Sequence, residues 1–188
     1  MRLFVAAALP ESHRQRLVAV TQGLRQSRTR ARWEPVEKLH FTLFFLGEVV
    51  PARVDRLLDA LRRAIAGRPA IRLCLGDGGA FPSTSRARVL WVGPVDQEAL
   101  VELQQPIAAA AAPFAERPDS KPFHAHLTLA RCDPPWPALE VEQFARAVHG
   151  AAPEPFSISA IHLLESELLH GGSRYREVAT LELGADVA

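Results

Sequence analysis

The stretch His40-Phe41-Thr42-Leu43-Phe44-Phe45-Leu46-Gly47 has a counterpart much later in the chain, His126-Leu127-Thr128-Leu129-Ala130-Arg131. Both are rich in apolar residues and end near turn formers, Gly47 in one case and Asp133-Pro134-Pro135 in the other, so both predict short strands. Because side chains alternate between the faces of a strand, the histidine and the threonine of each stretch share one face. Phe41, Leu43 and Phe45 would then point the other way, into a core. Each strand is predicted to present one imidazole and one hydroxyl on the same side.

The two stretches belong to a repeat that spans the chain. Matching residues at the starts of successive elements are 86 positions apart, in the pairs Arg2 and Arg88, His40 and His126, and Pro51 and Pro137. Three coincidences at one offset indicate a duplicated unit. The apolar patterns predict the order strand, helix, strand, helix, strand in each copy. We therefore expect a single domain over residues 1–188, built from two similar lobes at about residues 1–85 and 86–188.

This repeat predicts an α+β fold of bilobal shape. Two lobes related by an approximate two-fold axis would bring the motif strands face to face across a central cleft, with mostly antiparallel sheets on its two sides. In the second lobe we expect a helix over residues 97–112 and the motif strand over residues 123–131. Both histidines and both threonines would then border one cleft.

The overall charge does not favour a general polyanion-binding protein. The chain has 22 basic and 21 acidic residues and a formal net charge of +1, so no global field draws it to nucleic acid or membrane. Arginines 25, 28, 30 and 32 could form either a solvated face or a local surface for an RNA backbone. The sequence shows neither a signal-peptide pattern nor an apolar run near 18 residues. We expect a cytoplasmic monomer that does not bind membranes.

Cysteine and histidine spacings give little support for a metal centre. Cys74 and Cys132 lie far apart, without a C-x-x-C motif, whereas a structural zinc site needs four ligands at short spacings. His124 shares a face with His126, and such a pair can bind a metal, but no third ligand is evident. We expect no metal and no other cofactor, and we expect His124 to border the pocket as a substrate contact.

Several segments around the two motifs resemble those of the 2H phosphoesterase superfamily. They are Arg2-Leu3-Phe4-Val5-Ala6, Arg32-Trp33, Leu46-Gly47-Glu48, Gly79-Ala80-Phe81-Pro82 and Arg88-Val89-Leu90-Trp91-Val92-Gly93, together with the paired His-x-Thr-Leu motifs. Within that superfamily they are similar to the bacterial RNA 2′,3′-cyclic phosphodiesterases, formerly called 2′-5′ RNA ligases. The resemblance extends from Arg2 to about Tyr175. One position departs from it, since Ala125 stands where the family usually has proline before the second histidine.

The resemblance implies hydrolysis of RNA 2′,3′-cyclic phosphate ends to 2′-phosphates without a metal. It also implies that His40 donates a proton to the leaving oxygen and that His126 is the base that activates water. Histidine, with an ordinary pKa near 6.5, can do either at neutral pH. The hydroxyls of Thr42 and Thr128 could donate hydrogen bonds to the non-bridging phosphoryl oxygens. The expected partner is RNA with a cyclic phosphate end, and nucleotides are a further ligand class for the cleft.

Arg131, Tyr175 and Phe45 complete the predicted substrate contacts. Arg131 would supply positive charge, although strand alternation points it away from the face of His126, and it would reach the site only if the strand bends or ends near Ala130. Tyr175 follows a glycine pair, where the family usually has a glycine-led turn and a tyrosine. Phe45, Phe4 and Trp91 are further candidates for stacking on a terminal base.

Three alternatives remain at this point. One is an enzyme that acts on 2′-5′ linkages, as hydrolase or ligase, or on another cyclic nucleotide phosphate. Another is a non-catalytic RNA- or nucleotide-binding protein, which would have no need for two titrating imidazoles. The third is a metal hydrolase that uses His124 and His126, and loss of activity with a chelator would identify it.

Overall fold

The structure, a computed structural model, describes residues 1–26, 31–117, 122–152, 154–169 and 172–184. The first half of the chain contains β1 (Arg2–Ala8), α1 (Glu11–Val20), α2 (Gln22–Arg25), β2 (Ala31–Trp33), β3 (His40–Glu48), α3 (Val54–Ile65), β4 (Ile71–Leu73) and β5 (Leu75–Phe81). The second half contains β6 (Ala87–Pro94), α4 (Glu98–Ala111), β7 (Leu127–Trp136), α5 (Ala138–Val148), β8 (Phe156–Ile158), β9 (Ala160–Leu169) and β10 (Gly172–Glu182).

The principal sheet has the strand order β10-β9-β1-β3-β7-β6-β5, with β2 paired to β7. Its strand pairs are antiparallel, which confirms the predicted α+β class with mostly antiparallel sheets. The two motif strands, β3 and β7, are neighbours at the centre and pair through Phe41 and Leu127. The histidine-bearing strands therefore lie where the two halves of the sheet join.

The elements follow one another in the same order in both halves of the chain, but the sheet does not divide at residue 85. β5, from the first half, pairs with β6, and β9, from the second half, pairs with β1. β5 and β9 thus each lie beside the first strand of the other copy, and β10 follows as an additional strand beside β9. The lobe boundary near residue 85 stays a prediction, and it does not coincide with a division of the sheet, because β5 and β9 each pair with a strand of the other half. The short strands β4 and β8 also pair with each other.

The core lies between the sheet and the helices. Leu57, Leu61 and Ile65 of α3 are four residues apart and buried, as expected for one face of an amphipathic helix. α3 packs against α4, α4 against β3, and α5 against β5 and β6. Phe41 and Leu127 belong to the same core. This packing fixes the two motif strands from behind and leaves their opposite faces free for polar groups.

Strand β7 differs from the predicted segment at both ends. It begins at Leu127, one residue after His126, and continues through Asp133-Pro134-Pro135 to Trp136. The register with β6 passes from the pair of Val89 and Arg131 to the pair of Ala87 and Trp136. Residues 132–135 are therefore an irregular segment without regular partners on β6, which is where a strand accepts prolines.

Candidate active site

Both His-x-Thr motifs open onto one cleft. His40, Thr42, His126 and Thr128 all line this cleft, which has a volume of about 660 Å³. The motif residues lie at the start of β3 and at the start of β7, and these strands are adjacent. The cleft thus brings together two imidazoles and two hydroxyls. The two histidines are 86 residues apart in the chain, and so are the two threonines.

The two imidazoles make the same backbone contact. Nδ1 of His40 lies 2.6 Å from the carbonyl oxygen of Lys38, and Nδ1 of His126 lies 2.7 Å from that of His124. Because a carbonyl can only accept, each Nδ1 carries the proton, and in the neutral ring Nε2 has a free lone pair. On His40, the Thr42 hydroxyl lies 3.1 Å from Nε2 and donates to it. Each ring therefore has its orientation and tautomer set by the residue two positions before it.

Burial keeps both imidazoles in the neutral form. It lowers the pKa of His40 to about 4, despite the opposing hydrogen bond to the Lys38 carbonyl. It also lowers the pKa of His126, where the hydrogen bond to His124 opposes the shift and positive charge on His124 and Arg131 adds to it. At pH 7 the cleft thus holds two neutral imidazoles, each with a basic Nε2.

Each motif strand has a β-bulge at the same position of the repeat. The pairing of β1 with β3 skips Leu43, and the pairing of β6 with β7 skips Leu129. An extra residue reverses the alternation of side chains beyond it. The residues five positions after the histidines, Phe45 and Arg131, therefore line the cleft. The expectation that Phe45 points into the core is wrong, since its side chain is 57% exposed.

Arg131 reaches the cleft because of its bulge, although β7 continues beyond it. Its Nε lies 3.5 Å from a carboxylate oxygen of Glu34, which is largely buried. The backbone amide of Glu34 donates to the Leu129 carbonyl at the bulge. Glu34 also lines the cleft. It was not predicted as a site residue, although it directly follows the Arg32-Trp33 segment of the family resemblance. It orients the guanidinium of Arg131 at the cleft wall.

This arrangement corresponds to a known family. A model described as the 2′-5′ RNA ligase superfamily matches residues 9–168. The chain belongs to this superfamily. The match includes both histidine motifs and the strands that carry them.

Relatives in the superfamily match most of the chain. An RNA 2′,3′-cyclic phosphodiesterase of Archaeoglobus fulgidus is 29% identical over 182 residues, covering 97% of this chain and 100% of that protein. One of Thermus thermophilus is 32% identical over 147 residues, covering 74% and 72%. The crystal structure of Escherichia coli LigT complexed with 3′-AMP is similar with a TM-score of 0.77 and 27% identity, covering 97% of each chain.

In this superfamily member, aromatic rings surround each histidine differently. The ring centres of Phe4 and Tyr175 lie 5.2 and 5.5 Å from that of His40. Tyr175 lines the cleft, while Phe4 is 2% exposed and belongs to the packed interior. Lys38, which the sequence reading also missed, lies over the Tyr175 ring at 5.2 Å. The His40 side of the cleft is therefore mainly aromatic.

The His126 side is built on a second aromatic cluster. Phe81 stacks on Trp91 with ring centres 5.2 Å apart and meets His126 edge-on at 5.0 Å. His124 lines the cleft, with its ring nearly parallel to that of His126 at 6.2 Å. Trp91 is not among the residues that line the cleft. Its ring packs against Phe81 and His124 and holds them in position.

Other sequence expectations concern the surroundings of the cleft. Arg25 lies over the Trp33 ring at 4.7 Å, whereas Arg28 and Arg30 lie outside the described residues. Among the described residues, no group of three or more His, Cys, Asp or Glu side chains could hold a metal ion. In the same ranges, no helix is long and apolar enough to cross a membrane.

Proposed function

We propose that this chain hydrolyses RNA 2′,3′-cyclic phosphate ends to 2′-phosphates. The observation that carries the proposal is the pair of imidazoles in one cleft, each with its proton on Nδ1 and an unprotonated Nε2. Attack of water on phosphorus and departure of the 3′-oxygen need a proton acceptor and a proton donor together. Membership of the superfamily and the activity named for the relatives support this assignment.

The two histidines have different roles in this proposal. Nε2 of His126 takes a proton from the attacking water, and His40 gives a proton to the 3′-oxygen as its bond to phosphorus breaks. His40 is neutral in the empty cleft, so it must first gain a proton on Nε2. A phosphate anion bound beside the ring favours the imidazolium and raises its pKa. Substrate binding thus prepares His40 as the acid. After each reaction His40 is neutral and His126 holds the proton from water, so His126 must release that proton to solvent and His40 must gain a new one before the next turnover.

Charge on the phosphoryl oxygens is stabilised by groups that keep their protonation state. The hydroxyls of Thr42 and Thr128 donate hydrogen bonds to the non-bridging oxygens, and Arg131 supplies the positive charge. Glu34 holds Nε of Arg131 and leaves its terminal nitrogens for phosphate. Tyr175 and Phe45 contact the terminal nucleotide, and His124 borders the phosphate beside His126.

The proposal is tested by hydrolysis of a short RNA that ends in a 2′,3′-cyclic phosphate, with excess chelator. We expect the wild type to produce a 2′-phosphate, and we expect His40→Ala and His126→Ala each to lower kcat by about 10²–10⁴-fold. His149→Ala is the matched control, because His149 is exposed and pairs with Asp77. A wild type that binds this RNA without hydrolysing it would favour a binding protein, and activity lost only with chelator would favour a metal hydrolase.

The superfamily description also suggests a second substrate. In a 2′-5′ linkage, one phosphorus joins the 2′-oxygen of one ribose to the 5′-oxygen of the next. Cleavage of this linkage, run in reverse, would be the ligation that the family description mentions. A 2′-5′-linked dinucleotide offered to the same proteins distinguishes the two activities. We expect cleavage of the cyclic phosphate to have the higher kcat/KM.

A further inference from the structure

A row of residues crosses the sheet beside the candidate site. Phe81 pairs with Val89, Val89 with Arg131, and Arg131 with Arg32. Residues directly opposite each other in antiparallel strands project from the same face. Since Arg131 lines the cleft, Arg32 projects from the cleft face too. The next residue, Trp33, supports this direction, because it packs on the opposite side against Trp136 and Phe144.

Arg88 adds a third guanidinium to this side of the cleft. It lies on β6 within the register irregularity between Ala87 and Val89, where regular alternation does not hold, and it lines the cleft. We call Arg32, Arg88 and Arg131 the arginine rim. None of the three side chains is buried. The rim lies across β2, β7 and β6, adjacent to His126 and Thr128, so it forms the edge of the cleft next to the reacting phosphate.

The arginine rim retains positive charge that is available to a ligand. Within the described ranges, the side chain of Arg32 has neither a hydrogen bond nor an ion pair. Arg88 has one contact of 3.4 Å to Asp133, which is 91% exposed. Arg131 uses only Nε on Glu34. Such arginines can bind phosphate through their terminal nitrogens.

The opposite edge of the cleft lacks this excess charge. On β10, Arg174 and Arg176 donate from two nitrogens each to Glu167 and Glu165. Lys38 donates to the Ser173 carbonyl and lies over Tyr175. Arg174 and Arg176 flank Tyr175 and are not among the residues that line the cleft, and their charge is used on carboxylates of the neighbouring strand β9. An RNA backbone would gain more from the arginine rim than from β10.

We propose that Arg32 and Arg88 bind backbone phosphates of single-stranded RNA upstream of the cyclic end. The RNA then leaves the cleft across β2, β7 and β6, and not past β10. The β2 and β6 strands are two strand spacings apart, about 10 Å, and long arginine side chains on them can contact successive phosphates. This inference rests on the proposed function for the identity of the substrate. It assigns the enzyme to oligonucleotides over mononucleotides.

The test measures affinity, which is independent of turnover. A 5′-fluorescein hexauridylate ending in a 2′-phosphate is titrated by anisotropy, and uridine 2′-phosphate is used as competitor to obtain the mononucleotide affinity. We expect Arg32→Gln and Arg88→Gln each to lower the hexanucleotide affinity, relative to the mononucleotide affinity, by roughly twofold to fivefold, the range for an exposed ion pair. Each should also reduce the slope of log affinity against log salt by about 0.7.

The matched control is Arg56→Gln, which removes the same charge from an exposed position on α3. Thermal unfolding of all variants checks that they fold. The inference would be overturned if Arg32→Gln and Arg88→Gln bound the hexanucleotide as tightly as the control does. It would also be overturned if these variants lost equal affinity for the mononucleotide, or if the wild type did not bind the hexanucleotide. Absence of cyclic phosphate hydrolysis by the wild type would contradict the proposed function instead, and the affinity comparison would still decide the path of the RNA.

Discussion

At the scale of single residues, the notable property of His40 and His126 is how little water surrounds them. Both donate from Nδ1 to the carbonyl two residues earlier, and burial lowers the pKa of both. The backbone contacts favour the protonated ring, but the loss of solvent outweighs them. Both rings are therefore uncharged in the free protein and ready to accept a proton together with an anion.

This predicts an acidic optimum for the free enzyme. Catalysis needs one imidazolium and one neutral imidazole, and kcat/KM reports the pKa values of the free enzyme. Both pKa values lie below 6.5, with that of His40 about 4, so above pH 6.5 both rings lose their protons. We expect kcat/KM to peak below pH 6.5 and to fall about tenfold per pH unit above it.

Initial rates on a cyclic mononucleotide, from pH 4.5 to 8.5 and well below KM, measure this profile. The control is kcat at saturating substrate, whose falling limb should lie at higher pH because the bound phosphate anion raises the pKa of His40. If kcat/KM stays constant or rises between pH 6.5 and 8, the two-histidine acid–base assignment is wrong.

At the scale of elements, the bulges decide which side chains join the histidines. Alternation along a strand correctly placed His40 with Thr42 and His126 with Thr128, because these pairs precede the bulges. Alternation wrongly predicted that Phe45 points into the core and that Arg131 points away from the cleft. Both residues follow a bulge, at Leu43 and at Leu129 respectively. A bulge depends on the neighbouring strand, so the local sequence of β3 or β7 does not reveal it. The 86-residue repeat could have indicated only that the two strands would deviate alike.

The stacked pair of Phe81 and Trp91 depends on a glycine on β5. Gly79 pairs with Trp91, and a β-carbon at Gly79 would overlap the Trp91 ring. We expect Gly79→Ala to destabilise the protein by roughly 1–3 kcal/mol, the usual cost of overpacking. It should also lower activity, because Phe81 contacts His126.

Urea denaturation measures this change in the free energy of unfolding. Gly23→Ala is the control, since no atom lies within 4 Å of a β-carbon there and alanine favours the helix by up to about 1 kcal/mol. Equal unfolding midpoints for Gly79→Ala and the wild type would show that the Trp91 ring can move aside freely.

At the scale of the whole molecule, the exchange of strands between the two copies ties the halves of the chain together. The repeat in the sequence predicted the elements and their order, but it could not tell which copy supplies the neighbour of β1 or of β6. The local sequence of β9 has the length and apolar character of a strand, whereas β5 contains Gly76, Gly78 and Gly79, a pattern typical of a loop. Pairing between distant segments is a property of the assembled sheet.

This exchange predicts that the halves do not fold alone. Fragment 1–85 would leave β5 without β6 and β1 without β9, and fragment 86–188 would have the reciprocal defects. We expect neither fragment to unfold cooperatively, and we expect an equimolar mixture to regain cooperative unfolding and cyclic phosphate hydrolysis.

Circular dichroism melts of each fragment and of the mixture provide the measurement. The control is the full chain, nicked by a protease site inserted near residue 85, which starts from the assembled state. Cooperative melting of fragment 1–85 by itself would contradict the interpretation that the exchanged strands are needed for its sheet.

The position of β9 beside β1 also has a consequence for synthesis on the ribosome. β1 is synthesised long before its second neighbour β9, which begins at residue 160. Until then one edge of β1 has no strand to pair with, and an open edge is prone to pair with other chains. Such distant contacts also slow folding. A nascent chain therefore completes the strand pair next to β3 only after β9 has been synthesised, and the open edge of β1 stays exposed throughout this interval.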